Sequence, residues 1–325
     1  MSYGKMPMKN QIMRINENEI PSEILDPNIA VIGYGLLGRP VALCLRDSGH
    51  NVKIGLRENS LNIEKALDDD FNVLSIEDSC HKTNAIFLLV PDDIQADVFN
   101  EKIVKNIETG SILVLAHGYS FLYEKIRVPK GIDAVVIAPH GPGKALRELF
   151  LSGTGLAAQI AIYVDSSGRA KSRALALARS LGHDKSGIGM TSVNDEVIMD
   201  HFAEQMVLCG GVVELMRTAF KTLVDAGYDP REAFESVVRE LKYTVDLIHE
   251  HGPAGLYSRI SKSALAGSII NGRQAIGIDA ETRMKKVLDM IQSGEFQRGF
   301  EELTKGDWNS TAESEIERIE KDFNL

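Results

Sequence analysis

The segment Gly33-Tyr34-Gly35-Leu36-Leu37-Gly38 constrains the fold of this chain more than any other. It follows a short apolar run at 29–32 and precedes a helix-like run at 40–48, which Gly49-His50 ends before a second apolar run at 52–56. Glycines at the first, third and sixth positions of a strand-to-helix turn permit a tight bend, close approach of a ligand to the backbone, and packing of the helix on the strand. The free N–H groups at the helix start then suit a pyrophosphate. A glycine motif alone says little, but this one sits inside a complete βαβ unit. It predicts an α/β, doubly wound sheet of Rossmann type that binds a dinucleotide.

The alternation continues downstream. Runs at 85–90, 112–115 and 134–138 read as strands ending in Pro91-Asp92-Asp93, Ala116-His117-Gly118 and Pro139-His140-Gly141-Pro142-Gly143. Open α/β sheets bind ligands at the carboxyl ends of their strands, so His117 and His140 are candidates for substrate contact, against the structural role a lone histidine more often has. A strand at 157–164 and a helix at 167–181 close this domain, giving bounds of 1–188. The alternation then stops. Runs at 194–224, 230–249 and 281–304 read as helices, the first interrupted by Gly210-Gly211 and the second opened by Asp229-Pro230, so 189–325 is expected to be all helical. Residues 1–26 are polar and unpatterned, a leading arm.

A length of 325 residues agrees with two domains, and 44% apolar with 25% charged residues describes a soluble globular protein. The net charge of −10 opposes a nucleic-acid surface. Three widely spaced cysteines read as reduced. No apolar run reaches the roughly 18 residues of a membrane span, and the first residues lack a signal peptide's apolar core, so no membrane is expected and the cytoplasm is the default.

Two segments carry chemistry. At the end of the second strand, Arg57 and Ser60 suit a 2′-phosphate whereas Glu58 suits a ribose hydroxyl, which favours NADP over NAD. In DHFAEQMVLCGG, Asp200 and Glu204 stand four apart and share a helix face among apolar neighbours, an arrangement that can hold magnesium. Taken alone, such a pair is usually a solvated helix face.

The chain resembles ketol-acid reductoisomerase (acetohydroxyacid isomeroreductase) in its short bacterial form. The resemblance rests on IAVIGYG, LRDSG, GLRENS, LLVPDDIQADVF, AHGYS, APHGPG, IAIYVDSSGRAK, DHFAEQMVLCGGVVELM, FKTLVDAGYDP, ELKYTVDLIHE, SRISKSALAG and SGEFQRGF, which occur in this order. It implies an NADPH- and magnesium-dependent enzyme of branched-chain amino-acid synthesis. Two ions would hold a 2-hydroxy-2-alkyl-3-oxo acid while an alkyl group migrates, and NADPH would reduce the resulting 2-oxo acid. It also implies a knotted helical domain and a homodimer, or an assembly of dimers, in which partner subunits share ligands. Carried over by position, Asp200 and Glu204 would be metal ligands, Glu240 a metal and substrate ligand from the partner, and Ser261 the binder of the substrate carboxylate. His117, His140 and Pro142 would lie beside the reacting groups. The cofactor would touch Gly33, Tyr34, Gly35, Leu36, Leu37, Gly38, Arg57, Ser60, Asn62, Val90, Pro91, Asp92, Gln95, His117 and Gly143.

Four departures stand out. Ser236 occupies the place of the first glutamate in the family's second metal pair, with Glu235 one position early, and one residue turns a side chain by about 100° around an α-helix. His140 replaces a lysine, Leu36-Leu37 a polar pair, and Asn62 a phosphate-binding serine. With one carboxylate fewer and no fixed cation at 140, alkyl migration is expected to be slow while reduction survives. Two other readings stand beside this one: recruitment to a different substrate in a specialised pathway, and a catalytically silent scaffold that binds cofactor.

Overall fold

The computed structural model describes residues 13–323. The chain divides into two compact units, one up to Val197 and one from Ile198 onward. Most of the expected leading arm, residues 1–12, lies outside the described residues.

The first unit is built on nine strands: β1 (Met13–Arg14), β2 (Asn28–Ile32), β3 (Asn51–Gly55), β4 (Asn72–Leu74), β5 (Ala85–Leu88), β6 (Ile112–Leu115), β7 (Asp133–Pro139), β8 (Ala158–Val164) and β9 (Ile188–Thr191). They form one sheet in the order β1-β9-β8-β7-β6-β5-β2-β3-β4. The pairs β7–β8 and β1–β9 are antiparallel and the rest parallel. Both faces are covered. In β2, Ile29 and Val31 enter one core while Ala30 and Ile32 enter the other, none more than 1% exposed, which is why the strand reads as a continuous apolar run. The short β4 and the glycine-interrupted β9 carry too little pattern to be seen in the sequence. With β9 the sheet runs past residue 188, and the division between units falls inside the helix Val193–Ala203.

Strand β2 lies between β3 and β5, with Ile32 opposite Gly55 on one side and Leu88 on the other. The chain order reverses here, so the glycine turn opens at the switch point of the sheet. The opposite ends of the strands are tied together by Arg173, on the helix Ala170–Ser180. Its guanidinium donates to Asp26 Oδ1 at 2.6 Å, Asp133 Oδ2 at 2.7 Å and the Asn84 carbonyl at 3.0 Å, just before β2, at the start of β7 and just before β5. Burial would raise the Asp133 carboxyl, but hydrogen bonds from Ser167 and Arg173 outweigh it and hold the group below its usual range.

A second clamp fixes the glycine turn. The Tyr34 ring is 1% exposed, meets Phe71 edge-on, and donates its hydroxyl to Asp69 Oδ2 at 2.8 Å. Arg39, in the first turn of the helix Gly38–Asp47, grips the same carboxylate with Nε at 2.6 Å and Nη2 at 2.8 Å. Burial and the Asp69 carboxylate push the Tyr34 hydroxyl up, so it remains a donor. The hydrogen bond from Arg39 leads the effects that lower Asp69 to about 2.

The second unit contains the helices Gly211–Asp225, Pro230–Phe234, Leu241–Tyr257, Lys262–Ile276, Ala280–Gln292, Glu295–Lys305 and Trp308–Phe323. Asp229 caps the second of these, accepting from the Arg231 and Glu232 amides ahead of Pro230 at the favoured first position. Leu241–Tyr257 breaks at Gly252-Pro253, where Gly252 adopts φ 73°. Phe220, Phe234 and Phe323 form an aromatic cluster with centroids 5.2 to 6.4 Å apart. Beyond it the core is thin. Among the described apolar residues of this unit only Phe220, Ala233, Ala280 and Ile291 are buried, while Val207, Leu208, Ile269, Ile270, Ile278 and Trp308 are exposed. No described helix is long and apolar enough to cross a membrane.

The Asp69 clamp makes a prediction about acid stability. Its carboxyl titrates near about 2 when folded and near about 3.9 when unfolded, so its contribution is full above pH of about 4 and vanishes as pH falls through about 2. Asp69→Asn should destabilise the protein at neutral pH by on the order of 1 kcal/mol, discounted for the partly exposed Arg39, and the gap to the parent should close on acidification. Urea melts showing an equal gap at both pH extremes would contradict this.

Candidate functional site

The carboxyl ends of β2, β3 and β5 border a groove of about 520 Å³. Its lining includes Gly33, Tyr34, Gly35, Arg57, Ser60, Asn62, Val90 and Pro91, eight of the positions expected at the cofactor. Gly33 has φ 98°, and a Cβ there would lie 2.5 Å from the Leu89 carbonyl. Gly35 differs: a Cβ there would meet nothing within 4 Å, so this part of the backbone stands open to a ligand. The residues present therefore fit a dinucleotide, with its pyrophosphate over Gly35 and the start of the helix Gly38–Asp47. Ser60 and Asn62 are held in a turn in which the Ser60 amide donates to the Arg57 carbonyl at 3.0 Å and the Asn62 amide to Ser60 Oγ at 3.3 Å. Arg57 is exposed and makes no ion pair among the described residues.

Gln95 departs from expectation. It is 3% exposed and its amide reaches the Leu88 carbonyl of β5 at 3.5 Å, so the helix Asp92–Val98 turns it into the sheet and away from the groove. Asp92, Leu36, Leu37, Gly38 and Gly143 do not line the groove either. Leu36 is 94% exposed. Gly143, first residue of the helix Gly143–Ser152, packs directly against the glycine turn: a Cβ there would lie 2.2 Å from the Leu36 carbonyl. The two loops therefore touch backbone to backbone.

At the end of β6, the ring of His117 meets a carboxylate that the sequence reading overlooked. Glu196, 2% exposed, accepts from His117 Nδ1 at 3.0 Å and from the Gly118 amide at 2.8 Å. Nδ1 therefore carries a proton, and in the neutral ring Nε2 is the acceptor. The signal for Glu196 was available: carboxylates at 196, 200 and 204 recur every four residues in one helical run. His140, past the end of β7, is exposed and bonded through its amide to the Ala157 carbonyl at 2.8 Å, and the adjoining Pro142 is exposed too.

In the second unit, Asp200 lies on the helix Val193–Ala203 and Glu204 opens a π turn, Glu204–Leu208, that resolves into Gly210-Gly211. Both carboxylates are exposed. A second π turn, Glu235–Arg239, alters the reading of Ser236. The Glu240 amide donates to the Glu235 carbonyl at 3.0 Å, an i to i+5 bond, so Glu235 sits one turn before Glu240. In an α-helix that place would belong to Ser236. A cavity of about 380 Å³ is lined by Glu235, Ser236, Arg239, Glu240 and Tyr243, with Arg239 paired to Glu235 at 2.9 Å. Ser261 caps the helix Lys262–Ile276, its Oγ accepting from the Ala264 amide at 3.1 Å and sharing a hydrogen bond with Ser263 Oγ at 3.0 Å. Asp200 with Glu204, and Glu235 with Glu240, offer carboxylate oxygens, the hard donors that magnesium takes.

Comparisons with known proteins bear on the family and the fold. Residues 23–187 match the family described as acetohydroxy acid isomeroreductase, NADPH-binding domain, and residues 193–323 match the ketol-acid reductoisomerase C-terminal domain. The chain is 42% identical over 284 residues to a ketol-acid reductoisomerase (NADP(+)) of Sulfurisphaera tokodaii, covering 87% of this chain and 86% of that protein. It is 41% identical over 283 residues to the protein of the same description from Methanothermobacter thermautotrophicus, covering 87% and 86%. A solved NADH-preferring ketol-acid reductoisomerase from an uncultured archean superposes with a TM-score of 0.92 at 33% identity, over 96% of each chain. With both of its domains matched, the chain belongs to the ketol-acid reductoisomerase family of oxidoreductases, in which the two relatives named above are described as NADP(+)-dependent.

Proposed function

We propose that this protein is an NADPH- and magnesium-dependent ketol-acid reductoisomerase that acts on a 2-hydroxy-3-oxo acid and reduces the 2-oxo acid formed from it. The observation that carries the reading is the cavity lined by Glu235, Ser236 and Glu240, where the π turn at Glu235–Arg239 brings a second carboxylate beside Ser236. Divalent ions held by Asp200, Glu204, Glu235 and Glu240 would supply Lewis-acid polarisation of the substrate oxygens. The chain's own groups do the rest. Gly35 and the helix start receive the pyrophosphate, Arg57 and Ser60 the 2′-phosphate, and Ser261 the substrate carboxylate. Glu196 holds His117 in the tautomer that presents Nε2, where it can accept or return a proton at a substrate oxygen.

This reading supports both steps; of the two grounds for expecting slow migration, Ser236 and His140, it answers the first with Glu235 and leaves the second standing. Acetolactate should be consumed with NADPH oxidation in magnesium buffer, alongside direct reduction of a 3-hydroxy-2-oxo acid, and Asp200→Asn should suppress both. Reduction of the hydroxy-oxo acid without turnover of acetolactate would instead favour recruitment to another substrate, a reading that His140 in place of a lysine supports. Binding is separable from turnover. In calorimetric magnesium titrations, Glu235→Gln should weaken binding about tenfold or more while Ser236→Ala changes it little; the reverse order would return the site to Ser236.

We also propose a homodimer, or an assembly of dimers, formed through the helical unit. Its buried core is too thin for the apolar surface it presents, with Ile278 96% and Ile269 71% exposed, and a second copy is the occupant that the family resemblance implies. Light scattering should return at least twice the chain mass of 35.7 kDa at micromolar concentration. A monomer would overturn the assignment of Glu240 to a neighbouring subunit's ions.

A further inference from the structure

The dinucleotide groove does not end at Arg57. A second cavity, of about 860 Å³, adjoins it, and the two share Leu56, Arg57, Ile76 and Lys102. Arg57 enters from the end of β3, whereas Lys102 comes from the π turn Phe99–Ile103 that follows the helix Asp92–Val98. Among the described residues these are the only cations lining either space. The lining of the larger one also carries Glu58, Glu77 and Asp78, three carboxylates against two cations. A phosphomonoester of charge about −1.5 to −2 placed here would meet a net negative surround unless both cations turned toward it.

Lys102 is in a state that permits this. Its Nζ pairs with Glu77 Oε1 at 2.7 Å, but the two side chains are 47% and 37% exposed. An ion pair so open to water contributes little to stability, so releasing it costs little. The phosphate offers more charge and three acceptor oxygens, and a lysine on a flexible stem can exchange one partner for the other. The hydrogen bond that Lys102 donates to Glu77 favours its protonated form, with Glu101 and Glu58 adding to the effect.

We propose that Lys102 is a second selector of the cofactor's 2′-phosphate, opposite Arg57, and that Glu77 competes with the phosphate for it and so sets how far NADPH is favoured over NADH. The proposal rests on the reading that the adenosine end of the cofactor lies at Arg57. It places part of the selectivity outside the loop 57–62, on the element Phe99–Ile103 further along the chain. It also gives the carboxylates a role: without Glu77 the phosphate would gain more from Lys102.

The test is to measure dissociation constants of the full-length protein for NADPH and NADH, by quenching of intrinsic fluorescence, in the parent and in Lys102→Gln, Glu77→Gln, the double variant and Arg57→Ala. Lys102→Gln should weaken NADPH about threefold to tenfold and leave NADH unchanged, the size of one partly exposed charge-assisted contact. Glu77→Gln should strengthen NADPH alone, and the double variant should match Lys102→Gln. Equal effects of Lys102→Gln on both cofactors, no effect on either, or weaker NADPH binding in Glu77→Gln would each overturn the proposal. If Arg57→Ala weakens NADPH while Lys102→Gln does not, the Lys102 role fails and the groove assignment stands; if Arg57→Ala also leaves NADPH unchanged, the groove assignment fails with it.

Discussion

The buried Arg173 fork is the interaction on which the rest of the first unit depends. One guanidinium, 5% exposed, answers two carboxylates that are 3% and 1% exposed, and it bonds the Asn84 carbonyl as well. Removing it would leave two uncompensated charges in the core, a far larger penalty than the pair's net worth. Its position matters as much as its energy. By tying the amino ends of β2, β5 and β7 into one knot of polar contacts, it leaves the carboxyl ends to the Asp69 clamp and the candidate site. The glycine turn, Arg57 and Pro91 border the groove there, and His117 and His140 follow the ends of β6 and β7.

The two units solve their stability in different ways. The sheet is self-sufficient, with both faces covered and residues of its central strand inaccessible to water. The helical unit keeps an aromatic cluster around Phe220 and little else buried among its described apolar residues, yet it carries all four carboxylates proposed for the metal site. Donors on helices without a full core of their own are held less firmly, so the proposed second subunit would have a mechanical role as well as a chemical one.

Much of the first unit was legible in the sequence because its signals are local. The glycine turn, the apolar strands and their polar ends all lie within a few residues of the feature they predict. What escaped was either too short or too distant. β4 spans three residues, and Asp69 meets Tyr34 across 35 positions. Gln95 was misplaced because a motif does not say which face of a helix it turns outward. Glu196 was visible by its spacing and passed over because attention went to Asp200 and Glu204. The π turns left no mark at all: nothing in ESVVR distinguishes an i to i+5 bond from an i to i+4 bond, yet that difference decides whether Glu235 or Ser236 stands before Glu240.

The backbone contact between Gly143 and Leu36 couples two loops. The loop that bears His140 and Pro142 cannot shift without displacing the turn that would hold the pyrophosphate, since no side chain lies between them to absorb the motion. An occupied turn is a stiff one. A dinucleotide held on the turn would thereby bear directly on the loop that carries His140 and Pro142.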